Sequence, residues 1–196
     1  MIAIVKYNAG NIQSVKYALE RLNADFVVSD DPQILKSADK VIFPGVGEAS
    51  SAMAYLRKTQ LDKVLINLHQ PFLGICLGLQ LMCKSSVENN TDCLGIFDYQ
   101  VTKFDTEKGY KIPHMGWNQI TFKGDNPLFK GIKQNSYVYF VHSYFVPKGE
   151  DTLAKCEYAE TEFSAALHRD NYFGVQFHPE KSGEIGAKIL QNFLEI

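Results

Sequence analysis

Hydrophobic positions change their rhythm partway along this chain. Met1 to Tyr7 is a short apolar run that reads as a buried strand, and from Asn11 to Leu22 the residues Ile12, Val15, Leu19 and Leu22 recur at helical spacing. "DFVVSD" and "KVIFPGVG" read as strands, "SAMAYLRKTQLDKVLINL" as a helix, and "PFLGIC" as a strand apolar enough to be buried on both faces. Strands alternating with helices predict a parallel sheet built from βαβ crossovers. After Cys93 the helices drop out. "LGIFDYQVTKF", "WNQITFK", "SYVYFVHSYFVP", "TLAKCEYAE" and "FSAALHRDNYFGVQFHP" read as strands joined by short turns, the pattern of antiparallel additions to a mixed sheet. Ser182 opens a closing helix, with Glu184 in its first turn and Ile185, Ile189, Leu190 and Phe193 on one face. No repeat or linker-like composition shift interrupts residues 1–196, so a single domain is expected.

Composition narrows the classes. The chain has 196 residues, 45% hydrophobic and 21% charged, which suits a soluble globular protein with a substantial core. A net charge of −2 without a basic run argues against a nucleic-acid or anionic-membrane partner. The apolar start is too short for a signal peptide, and no stretch approaches the ~20 apolar residues of a membrane span. Cys76, Cys83, Cys93 and Cys156 form no CxxC pair, so reduced thiols, a cytoplasmic setting and no bound metal are expected.

The candidate chemistry lies at two distant places. In "PFLGICLGLQLM", Cys76 stands between Gly74 and Gly78, after a strand and before a helical run. Glycines on both sides suit a cysteine at the tip of a sharp strand-to-helix turn, where the backbone is strained and crowded. A buried packing cysteine is the alternative. A cysteine nucleophile needs a base and a group to orient it. His69, His114, His142 and His168 read as surface or hydrogen-bonded core histidines. His178 differs because "HPE" follows with Glu180 two residues on. In extended chain those two side chains share a side, and Pro179 stiffens the segment. The carboxylate could then fix the imidazole tautomer, as in a nucleophile–base–orienter triad.

Gly-x-Cys-x-Gly-x-Gln after a strand, with His-Pro-Glu near the C-terminus, resembles the class I (triad) glutamine amidotransferases. With "YNAGN", "FPGVG", "PHMGWN" and "FVHSY", the chain is similar over essentially its whole length to the glutaminase subunits of imidazole glycerol phosphate synthases. The resemblance implies a three-layer α/β/α fold around a mixed, mostly parallel sheet. It implies Cys76 as nucleophile, His178 as general base and acid, and Glu180 as orienter. The oxyanion hole would take the Leu77 N–H and a donor from the Val46–Gly47 segment. Gln80 and Glu88, with backbone of Gly47, Val141, Ser143 and Tyr144, would hold glutamine. Asn11, Met115, Trp117, Asn118 and Lys181 would face a separate cyclase subunit that receives the ammonia, although Trp117 could equally fill a core. No cofactor is implied. Where the family often carries "DYGxGN", this chain reads Lys6-Tyr7-Asn8-Ala9-Gly10-Asn11. The rival readings are a glutaminase serving another synthase, of the pyridoxal phosphate or anthranilate type, and a non-catalytic module on the same fold.

Overall fold

Alternate residues of the first strands go to opposite faces of one sheet, and helices cover both faces. The structure, a computed structural model, describes residues 1–8, 12–107 and 109–196. In chain order the first half contains β1 (Ile2–Val5), α1 (Ile12–Arg21), β2 (Phe26–Ser29), α2 (Pro32–Ser37), β3 (Lys40–Gly45), α3 (Ala49–Lys58), α4 (Leu61–Leu65), β4 (Phe72–Cys76) and α5 (Leu77–Met82). Ile2, Ile4, Ile42, Leu73 and Ile75 pack with Val15 and Leu19 of α1 on one face. Ala3, Val5, Val41, Phe43 and Phe72 pack on the other, with Met53, Leu56, Leu61 and Leu65 of α3 and α4. The period-2 alternation of the strands and the stripes of the helices thus meet in two apolar layers.

The second half contains β5 (Cys83–Ser86), β6 (Thr91–Asp92), β7 (Phe97–Lys103), β8 (His114–Phe122), β9 (Ser136–His142), β10 (Tyr144–Pro147), β11 (Thr152–Tyr158), β12 (Thr161–Arg169), β13 (Tyr172–Val175) and α6 (Gly183–Glu195). Strand order along the main path is β2-β1-β3-β4-β13-β12-β10-β7-β5-β6, while β11 extends from β12 to β8 and β8 pairs with β9. The set β2-β1-β3-β4-β13 is parallel. α6 joins α1 on the first face through Ile189, Leu190 and Phe193.

Several expectations shift in detail. The long predicted helix breaks at Gln60, whose left-handed φ of 58° lets α4 restart with Leu61 and Leu65 both buried. "SYVYFVHSYFVP" is two strands parted at Ser143, because β9 pairs with β8 while β10 pairs with β7 and β12. "FSAALHRDNYFGVQFHP" also divides, turning at Asp170 with φ 53°. Its second part, β13, runs antiparallel to β12 as expected but lies parallel to β4 on its other edge, with Gly174 beside Gly74 and Val175 beside Ile75. Helix α2 lay unassigned in the sequence although Asp31-Pro32 announces it. The Asp31 carboxylate accepts from Gln33 N at 2.7 Å, and Pro32 occupies the first turn.

α5 presses onto bare backbone. A Cβ on Gly78 would sit 1.8 Å from the Phe43 carbonyl oxygen, and one on Gly74 would sit 2.4 Å from Met82 Sδ and 2.9 Å from Leu79 N. The two glycines around Cys76 therefore set how deeply the helix seats. Helix propensity alone would favour Gly78→Ala by up to ~1 kcal/mol. The clash with β3 backbone reverses the sign, and Gly78→Ala is expected to destabilise the fold by about 1–3 kcal/mol in denaturant unfolding. Unchanged or increased stability would refute this account of the turn.

Candidate active site

Cys76 is the last residue of β4 and stands immediately before α5, with φ 53° and ψ −108°. A non-glycine residue in such a region costs on the order of 1–3 kcal/mol and persists only where its surroundings over-determine it. Here β3 on one side supplies that constraint, with Gly45 opposite Cys76 in the ladder. The sulfur is nearly buried, 3.9 Å from Val141 O and 3.7 Å from the Gln176 side-chain nitrogen.

The partner strand β13 leads directly to the imidazole. His178 and Glu180 are both buried, and His178 Nδ1 lies 2.8 Å from Glu180 Oε1. The sequence expectation of a pair in extended chain is half met. His178 is extended, but Pro179–Lys181 form a single 3-10 turn, which swings the carboxylate back beneath the ring. Nδ1–H donates to the carboxylate, so Nε2 is the nitrogen left to accept a proton. Nε2 is buried, with Cys76 as the group that acts on it. Burial pulls the imidazolium pKa down, but charge on Cys76 and then Glu180 outweighs it and raises His178 to about 10. Burial disfavours the thiolate at the other three cysteines, pushing Cys83 well up and Cys93 and Cys156 to about 12.

A cavity of about 320 Å³ opens over Cys76. Its wall contains Val46, Gly47, Leu77, Gln80, Glu88, Val141, Ser143 and Tyr144, so it brings together every predicted oxyanion and glutamine-binding residue. Glu88 is already engaged there, accepting from Ala49 N at 2.8 Å at the start of α3. The two glycines of "PGVG" are unequal. A Cβ on Gly45 would lie 2.2 Å from the Tyr7 hydroxyl, whereas Gly47 has φ 113° and open space around it. Tyr7 donates to Pro44 O at 2.7 Å and clamps that side further. Freedom in this segment therefore resides on the Gly47 side alone.

His142 and His114 are not bases in waiting. His142 Nδ1 is 2.8 Å from Tyr144 O, His142 Nε2 is 3.1 Å from His114 Nδ1, and His114 Nε2 is 3.3 Å from Asn118 Nδ2. The carbonyl can only accept and the amide nitrogen can only donate, so both rings are neutral Nδ1–H tautomers with both nitrogens in use. Burial lowers His142 to about 3, helped by His114 and His178, and lowers His114 to about 4. Gln176, fully buried beside Cys76, is a further polar residue that spacing did not single out. "GVQFHPE" held it in plain view, but its side chain acquires meaning only once β13 lies beside β4.

The predicted partner-facing residues fall on another surface. Trp117 lies within β8, exposed at 55%, with Met115 at 57% and Tyr137 at 53% nearby on the β8–β9 pair. That exposure rules out the core reading of Trp117. Asn118 differs from its neighbours, because its half-buried side chain joins the inward row with His114 and also donates to Glu157 O at 2.9 Å. Lys181 is exposed at the end of the turn carrying Glu180. Asn11 lies outside the described residues. Among the described residues no group of His, Cys, Asp and Glu could hold a metal ion.

The sequence matches the family described as glutamine amidotransferase class-I across residues 4–196. The chain belongs to this family. It is 56% identical to "Imidazole glycerol phosphate synthase subunit HisH" of Bacteroides fragilis, covering 100% of this chain and 99% of that one. The correspondingly named proteins of Bacteroides thetaiotaomicron and Shewanella loihica are 54% and 47% identical, over 100% and 98% of this chain and 99% and 89% of theirs. Among solved structures, a glutamine amidotransferase superposes with a TM-score of 0.75 at 17% identity, covering 100% of this chain and 98% of that one. PurLQS from Thermotoga maritima gives 0.66 at 18%, covering 99% and 97%. These likenesses bear out the three-layer amidotransferase fold.

The histidine pair in this glutamine amidotransferase makes acid stability measurable. Unfolded, each ring would take a proton near pH 6.5, whereas folded they resist to about 4 and 3. Stability should therefore fall as pH drops from 6.5 towards 4, by up to about 1.4 kcal/mol per pH unit for each ring. His178 works in the opposite direction, adding stability below 6.5 that is lost as pH rises towards about 10. Denaturant midpoints across pH 4–7 should show a shallower acid limb in His114→Gln than in the unsubstituted chain. Equal slopes would count against neutral buried rings.

Proposed function

We propose that this chain is the glutaminase subunit of an imidazole glycerol phosphate synthase. It hydrolyses glutamine to glutamate and ammonia, and passes the ammonia to a cyclase subunit in histidine biosynthesis. The observation that carries the reading is Cys76 on its strained turn beside a buried His178–Glu180 pair, in a chain 56% identical end to end to a protein named as that subunit. No helix among the described residues is long and apolar enough to cross a membrane.

In this reading glutamine enters the cleft with its γ-amide over Cys76. The sulfur attacks the carbonyl carbon, and the oxyanion takes hydrogen bonds from the Leu77 N–H and from the Val46–Gly47 segment. His178 Nε2 holds the proton that Cys76 gives up and delivers it to the departing amide nitrogen. Ammonia leaves and a γ-glutamyl thioester remains. Water, deprotonated by the same nitrogen, then releases glutamate. Glu180 keeps the ring in the required tautomer and stabilises its charge. Both Gln80 Nε2 hydrogens are used, one on Tyr144 O at 2.9 Å and one on Gln176 Oε1 at 3.0 Å. Gln80 therefore offers substrate its oxygen, an acceptor suited to the α-ammonium group. The exposed Met115, Trp117 and Tyr137 supply an apolar surface of the kind that anchors a partner protein.

A glutamine-mimicking alkylator should label Cys76 first, with loss of glutaminase activity in step. Cys76→Ala should abolish glutamine-dependent synthesis while the complex still uses free ammonia. Preferential labelling of Cys93, or loss of both activities in an intact complex, would overturn the assignment. Control is expected in the same cleft, because hydrolysis without an acceptor wastes glutamine. A turn of the Val46 peptide about the loose Gly47 side would supply or withdraw one oxyanion donor, worth ~10²–10³ in rate. Glutaminase rates should accordingly rise at least a hundredfold, roughly, when cyclase and its ligand are added, and Val46→Pro should remove that stimulation. Full activity in the isolated chain, unmoved by either addition, would refute this control.

A further inference from the structure

We propose that Gln176 is a positioning residue for Cys76, its side-chain N–H aimed at the sulfur by an amide chain whose direction one backbone carbonyl fixes. The proposal rests on the reading of Cys76 as nucleophile but adds a residue outside the triad.

Donor and acceptor capacities dictate the chain. Tyr144 O can only accept, so the Gln80 amide must turn its nitrogen towards it, at 2.9 Å. The second hydrogen of that nitrogen then points at Gln176, 3.0 Å away, which must present oxygen in reply. With Oε1 so engaged, the Gln176 nitrogen is left facing Cys76 Sγ at 3.7 Å. No amide in the series can flip without pairing two donors or two acceptors. Gln176 is fully buried, and Gln80 is 5% exposed, so water cannot repair a flip cheaply. His142 strengthens the anchor by donating to the same Tyr144 carbonyl at 2.8 Å.

The consequence for the sulfur is electrostatic and geometric. An N–H donated to a thiolate favours the charged form and holds it at one end of its rotation. Other groups also act on Cys76: His178 at the end of β13, with Glu180 behind it, and the buried Tyr7 beyond β1, whose pKa is raised by burial and by Cys76. His178 supplies charge and accepts the proton, whereas Gln176 is neutral at every working pH. Removing Gln176 should therefore move the thiol titration without abolishing the base.

The test is the pH dependence of Cys76 alkylation by iodoacetamide, followed at the peptide level in the full chain. Thermal midpoint and ammonia-dependent synthesis with the cyclase serve as folding controls. Gln176→Met keeps length but removes the donor, and should raise the alkylation midpoint by about one pH unit, with kcat down roughly tenfold and KM little changed. Gln176→Glu should raise the midpoint further through like charge. If Gln176→Met does not fold, Gln80→Met, which frees the Gln176 amide to rotate, should shift the midpoint in the same direction by less. Alkylation midpoints within about 0.3 pH units of the unsubstituted chain in a folded variant would overturn the proposal. A glutaminase surviving Cys76→Ala would overturn the nucleophile reading instead, leaving the alkylation result to stand by itself.

Discussion

The depth at which α5 sits on the sheet governs the rest of the molecule. Its first turn touches the backbone of β3 and β4 with no side chain between, which only Gly74 and Gly78 allow. That contact forces the chain to leave β4 sharply and holds Cys76 at φ 53°. Because β3, β4 and β13 are parallel and adjacent, their carboxyl ends arrive together. One end carries the "PGVG" segment, the middle one Cys76, and the third Gln176 and His178. The convergence is the general one for parallel sheets, in which chemistry gathers beyond the strands' carboxyl ends.

The antiparallel half builds the opposite wall. The break at Ser143 passes the chain from the β8 ladder to the β7 ladder, and Val141, Ser143 and Tyr144 line the cleft at that step. Beneath it, His114 lies between the Phe140 and Tyr158 rings at 4.8 and 3.9 Å, and His142 lies among Phe104, Phe140 and Phe163. Two neutral imidazoles there act as spacers with directed hydrogen bonds. They link the inward side of β8 to a carbonyl on the cleft wall.

Much of this was legible in the sequence, for reasons that differ by residue. Cys76 between glycines and His178-Pro179-Glu180 carry local signatures, because each is made by chain neighbours. The βαβ alternation was equally local. What could not be read depends on pairing across the sheet. β13 does turn back antiparallel on β12, but turn spacing cannot reveal that β4 lies parallel on its other edge, and the Asn118 side chain was grouped with Trp117 although the pleat sends it inward. Gln176 lacked any sign in one dimension, since its role comes from Cys76, a hundred positions away along the chain.

Glu88 gives the site a topological property. Its carboxylate closes the first turn of α3 by bonding Ala49 N, although Glu48, the residue at the cap position, makes no such bond. The chain from Ala49 to Glu88 is therefore a loop drawn shut at its neck, and Cys76 rides within it. The neck also forms part of the cleft wall. A ligand ammonium that drew the carboxylate towards itself would loosen the fastening of the loop that carries the sulfur. Asn89, beside Glu88, bonds the Glu48 and Ser50 side chains, so the neck would keep a second fastening when Glu88 turned to the ligand.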